Sequence, residues 1–104
     1  MNLRPQNQPF AMQLERFPEE DEEEFDRNRS THMAQITNAA QDLGFEGYWF
    51  NDKCVSWLER KDGSVLYVET VYFQIYTRGY FNDSKERDFV QEYLTECVGL
   101  SPAK

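Results

Sequence analysis

Seven carboxylates stand in the run Glu19-Glu20-Asp21-Glu22-Glu23-Glu24-Phe25-Asp26, the place where this 104-residue chain most densely gathers one kind of chemistry. Without them, twelve acidic side chains remain against eleven basic ones, so the net charge of −8 is a local feature on a nearly neutral body. Carboxylates at this density suit binding better than catalysis. Like charges repel, stay solvated and meet basic surfaces. The run lacks the glycine turn and alternating ligands of an EF-hand loop, which argues against a specific calcium site.

Other residue types offer less. His32 is the only histidine. General acid–base or nucleophilic chemistry wants a positioned partner for such a base, and no residue in the sequence points to one, so His32 reads as a surface or packed side chain. Cys54 and Cys97 lie far apart with no metal spacing and read as small core residues with reduced thiols. Tyr76-Thr77-Arg78-Gly79-Tyr80-Phe81 interleaves an arginine with rings that could stack bases, with Lys53, Arg60 and Lys61 near enough in sequence to add phosphate contacts. The acidic balance opposes that reading, because nucleic-acid sites carry a basic footprint. No HExxH, CxxC, GxSxG or phosphate-cradling glycine loop occurs, so neither a common enzyme class nor a cofactor or metal is expected.

The elements that must hold these residues follow from periodicity. Residues 1–17 read as a flexible arm, in which Phe10, Met12 and Leu14 alternate as a short edge strand would. Pro18 suits the first position of a helix, and carboxylates favour its first turn. The apolar spacing of Phe25, Met33, Ile36, Ala40 and Leu43 predicts a helix over 31–43, with 19–26 a helical or frayed extension and Gly44 its cap. From Phe45 the period becomes two. Strands are expected at Gly47–Phe50, turned by Asn51-Asp52, and at Cys54–Arg60, followed by an Asp62-Gly63 hairpin. Val65–Thr77 contains neither glycine nor proline and reads as one long strand with a bulge or bend near Glu69-Thr70. Asp83 and Glu86 form a capping pair for a last helix over 84–98. Its apolar face would hold Phe89, Val90, Tyr93, Leu94, Cys97 and Val98, and Gly99 would close it.

A two-residue turn at Asp62-Gly63 would set Leu58 against Tyr67, Trp57 against Val68 and Glu59 against Leu66. One sheet face would then gather Val55, Trp57, Leu66, Val68, Tyr72 and Tyr76. The other would gather Leu58, Val65, Tyr67, Val71, Phe73 and Ile75. Two helices cover one face, not two. Either a bulge changes the parity, or the second face meets a partner or a second copy of the chain.

The expected fold is therefore an α+β two-layer sandwich in the order α-β-β-β-α: three or four antiparallel strands on two helices, one domain over 18–100 and a short tail at 101–104. No apolar run suggests a signal peptide or a membrane span, and reduced cysteines fit the cytoplasm. Small acidic aromatic-rich domains recur among inhibitors, immunity proteins, secretion chaperones and phage-encoded antagonists of host enzymes. The leading expectation is a nucleic-acid mimic that inhibits a target enzyme by occupying its basic surface. Glu19, Glu20, Asp21, Glu22, Glu23, Glu24 and Asp26 would supply charge, and Tyr72, Tyr76 and Tyr80 anchors. The alternatives are an assembly subunit that dimerises through its sheet and a chaperone-like binding protein.

Overall fold

The computed structural model describes residues 10–50, 55–71 and 73–102. In chain order the elements are β1 (Phe10–Arg16), α1 (Glu22–Asp42), β2 (Glu46–Phe50), β3 (Val55–Glu59), β4 (Val65–Val71), β5 (Gln74–Phe81), α2 (Ser84–Val98) and β6 (Ser101–Pro102). The architecture is α+β. Six antiparallel strands in the order β2-β3-β4-β5-β1-β6 carry both helices on one face. Helix α1 lies over β3 and β4, and α2 over β1 and β5.

Several expectations need correction. The α-β-β-β-α order lacks strands at both ends. Residues 10–16, expected in a flexible arm with an edge strand, form an internal strand that pairs with β5 along its whole length and with β6 through Leu14 and Glu15. Ser101–Pro102, expected as a tail, is the short strand that completes this side. Of the two expectations for the acidic segment, helical or frayed, the helical one holds from Glu22. The helix starts after Asp21 and not at Pro18, the Asp21 side chain accepting the Glu24 N–H at 2.9 Å, and it runs unbroken for 21 residues. Tertiary burial of Phe25, Met33, Ile36, Thr37, Ala39 and Ala40 overrides the weak propensity of Asn28 and Ser30.

The long segment Val65–Thr77 is two strands, not one bulged strand. The chain turns between Val71 and Gln74, which pair with each other. Phe73 in this turn is not one of the residues that usually mark one. The first hairpin also differs from its expected register. Lys61-Asp62-Gly63 is a three-residue loop, with Arg60 N–H donating to Ser64 O at 2.9 Å and Gly63 at φ +90°. Leu58 therefore faces Leu66, Trp57 faces Tyr67 and Glu59 faces Val65. A slip of one residue exchanges the two faces of a strand.

The corrected register separates the faces. Met12, Leu14, Ser56, Leu58, Leu66, Val68, Ile75, Thr77 and Phe81 lie buried beneath the helices with Phe25, Phe45, Val90, Leu94 and Leu100. A Cβ at Gly79 would sit 2.7 Å from a Phe81 ring carbon and 2.9 Å from Leu66 Cδ2, so this strand needs glycine in order to pack. On the opposite face Val55, Trp57, Tyr67, Val71, Tyr76 and Tyr80 are partly covered, or buried in the case of Val65, and alternate with Glu15, Glu59, Glu69, Gln74 and Arg78. The expected apolar second face is thus a mixed aromatic and charged one.

Helix α2 keeps its expected bounds, with Asp83 accepting the Glu86 N–H at 2.8 Å and Gly99 left-handed at φ +70°. Its apolar face is narrower than the sequence suggests. Only Val90 and Leu94 are buried, whereas Phe89 is 57% exposed and Cys97, expected in the core, is an exposed thiol. Cys54 lies outside the described residues.

Candidate functional site

Three pieces of chain meet at one end of the sheet. Arg16, the last residue of β1, pairs with Ile75, next to the β4–β5 turn that carries Phe73. Phe17 follows, and the acidic run then leads into α1. Phe17 and Phe73, 60% and 44% exposed, are two of the three large hydrophobic side chains left open among the described residues. The acidic run and these rings therefore share one end of the molecule.

A polar fastening holds that end in place. His32 Nε2 lies 2.6 Å from Glu20 Oε1, and its Nδ1 lies 2.8 Å from Arg16 Nη2. A guanidinium can only donate, so Nδ1 accepts and Nε2–H donates to Glu20. Asn28 donates to the other Glu20 oxygen. Arg16 Nη1 also donates to Val98 O at 2.5 Å, placing a cation at the C-terminal end of α2. The hydrogen bond from Asn28, then that from His32, holds the Glu20 carboxyl below the ordinary glutamate value. His32 has a partner after all. With its accepting nitrogen occupied, it acts as a fastener. The ring also lies 5.6 Å from that of Phe25 and so steadies this buried side chain.

The seven carboxylates divide by use. Glu20 is engaged with His32 and Asn28, and Asp21 caps the helix. Glu23 pairs with Arg27 at 3.3 Å across largely exposed side chains, and Asp26 pairs with Arg29 at 2.6 Å. Among the described residues, the side chains of Glu19, Glu22 and Glu24 make no hydrogen bond or ion pair. A helix N-terminus carries only about half a positive charge, which these carboxylates outweigh.

Between the first turns of α1 and Phe73 lies a cavity of about 250 Å³ walled by Glu22, Phe25, Asp26, Arg29 and Phe73. The two rings meet edge to face at 6.3 Å. The Arg29 guanidinium lies 5.8 Å from the centre of the Phe25 ring. Arg29 Nε is shielded from solvent and has no acceptor.

The expected tyrosine anchors do not join this group. Tyr76 and Tyr80 stand on the outer face of the sheet, and Tyr72 lies outside the described residues. Carboxylates on that face are tied to their neighbours: Trp57 Nε1 donates to Glu59 at 3.1 Å, Tyr67 to Glu69 at 3.3 Å and Gln74 to Glu15 at 3.1 Å. Burial, then the Glu69 charge, pushes the Tyr67 hydroxyl up. Arg60, considered for phosphate contacts, is taken up by Asp62 and Glu86 and lies over Phe45. Lys53 lies outside the described residues.

A second, open cleft of about 460 Å³ runs between the helices past Arg16, Asn38, Asp42, Tyr93 and Cys97. Among the described residues no three His, Cys, Asp or Glu side chains gather as metal ligands would, and no helix is long and apolar enough to cross a membrane. No protein-family model and no curated protein sequence matches the chain.

Sequence reasoning missed Arg16, Asn28, Phe17, Phe25, Arg29 and Phe73 as parts of this end. Phe25, inside the run, was the one signal available. An apolar ring among seven carboxylates is hard to explain for a merely solvated tether.

Proposed function

We propose that this protein is an acidic binding module that inhibits or masks a target enzyme by occupying its basic, nucleic-acid-binding surface. Glu19, Glu22, Glu23 and Glu24 take the place of phosphates, while Phe17 and Phe73 supply apolar anchors in the role first expected of Tyr72, Tyr76 and Tyr80. One observation carries this reading: a capped, fastened helix end presents solvent-facing carboxylates beside two exposed rings. A solubility tether needs neither the cap nor the rings. Charge of this kind speeds encounter, and desolvated rings slow dissociation.

The test is capture of binding proteins from native lysate by the wild type and by a variant with Glu19, Glu22, Glu23 and Glu24 changed to Gln, at low and high salt, with mass spectrometry. The reading expects captured proteins to bind nucleic acid, to be displaced by added duplex DNA and to be lost by the variant. Equal capture by both proteins contradicts it.

The alternative, an assembly subunit that dimerises through the sheet, draws on the outer face, where Trp57, Tyr67, Tyr76 and Tyr80 lie beneath no helix. Light scattering separates the two readings: a dimer that Tyr76→Glu dissociates favours assembly, and a strict monomer removes it.

A further inference from the structure

We infer that the cavity between α1 and Phe73 seats a single lysine side chain of a basic polypeptide segment. The inference rests on the proposed function and specifies its contact. At about 250 Å³ the cavity falls below the usual range for small-molecule sites, roughly 300–1,000 Å³, and suits one long side chain. Its walls match a lysine in two respects. Phe25 and Phe73 offer ring surface to an aliphatic stem and a cation. Glu22 offers a carboxylate free of partners among the described residues, and Asp26 is held by Arg29.

The protein's own guanidinium already shows what the place favours. Arg29 lies over the Phe25 ring and bonds to Asp26 at 2.6 Å, which leaves the Phe73 ring and the Glu22 carboxylate for an incoming cation. A peptide suits the place better than a free amine, because several lysines can meet the exposed carboxylates of Glu19, Glu22 and Glu24 at once. Phe73, 44% exposed, gains the cover it lacks in the free protein.

The test is titration of the intact protein with hexalysine, N-acetylated hexalysine of neutral side chains, and butylammonium, followed through the ring protons of Phe25 and Phe73. Hexalysine should shift both rings, whereas the acetylated peptide and butylammonium should bind far more weakly. Phe73→Ala should weaken hexalysine binding about three- to fivefold, the worth of an exposed cation–ring contact. Glu22→Gln is a second variant that leaves the rings in place, and it should weaken binding without abolishing the shifts. If hexalysine binds the wild type and Phe73→Ala equally well and moves neither ring, the cavity assignment falls while the reading of the acidic run stands. Butylammonium binding as well as hexalysine overturns the polypeptide part. If hexalysine fails to bind even at low salt, both readings fall.

Discussion

The outer face of the sheet and the acidic end of α1 draw on the same residue types, rings and carboxylates, and use them in opposite ways. On the sheet each described carboxylate with a partner is hydrogen-bonded by a side chain on a neighbouring position, and Trp57 and Tyr67 meet edge to face at 6.2 Å. Most of that surface satisfies itself, the exposed Glu46 opposite Glu59 excepted. At the helix end the rings of Phe17 and Phe73 stand open, and Glu19, Glu22 and Glu24 have no partner among the described residues. What separates a structural surface from a binding surface here is whether the groups have already found one another.

The largest effect should come from removing the open charges together. Changing Glu19, Glu22, Glu23 and Glu24 to Gln should weaken hexalysine binding about ten- to a hundredfold at low salt and flatten its salt dependence, since each exposed pair contributes at most roughly 1 kcal/mol. Calorimetry across a salt series measures this. The same variant should unfold at an unchanged or higher temperature, because like-charge repulsion is relieved.

The second effect runs the other way. Trp57→Ala on the sheet should cost about 1–3 kcal/mol of stability by denaturant unfolding, through the lost ring pair and its burial, and should leave hexalysine binding intact. Phe73→Ala should show the reverse, with stability within about 0.5 kcal/mol of the wild type. Two variants that behaved alike would erase the distinction between the regions.

Glu20 gives the third. Its carboxyl is held below the ordinary glutamate value in the folded state, chiefly by the hydrogen bond from Asn28. The stabilisation it contributes is therefore present above about pH 4.3, the unfolded value, and is lost as pH falls through the lower folded one. Wild-type melting temperature should drop over that acidic interval. Glu20→Gln should melt lower at neutral pH and lose less on acidification, whereas Glu22→Gln should follow the wild type. Thermal melts from pH 7 to pH 3 distinguish them. The smallest effect belongs to Glu23→Gln alone. Its pair with Arg27 is largely exposed, and both binding and stability should change by less than about 0.5 kcal/mol.

These contrasts also mark how far the sequence could be read. The two helices, the antiparallel sheet and the caps at Asp83 and Gly99 were legible because they rest on local pattern. The turn before Gln74 was not, because Phe73 carries no turn chemistry. A subtler signal did exist: the buried parity passes from even positions, Leu66 and Val68, to odd ones, Ile75 and Thr77, which a two-residue turn explains as simply as a bulge. The first hairpin was mis-registered because Asp-Gly serves two-residue and three-residue loops alike. At the site, the charge was plain, but its division was not. Nothing local says that Glu20 will reach His32, 12 positions on, or that Arg16 will close the cluster from β1. Such contacts belong to tertiary geometry, as does the placing of Tyr76 and Tyr80 on the outer face, which strand register decides.

The most direct test of the central claim is a backbone amide NMR map of the wild type during titration with hexalysine. The account predicts that the largest shifts fall on Glu19 to Arg29 and on Phe73 and Gln74. It predicts little change at Trp57, Tyr67, Tyr76 and Tyr80. Largest shifts on that sheet face, or in the cleft beside Tyr93, would contradict it.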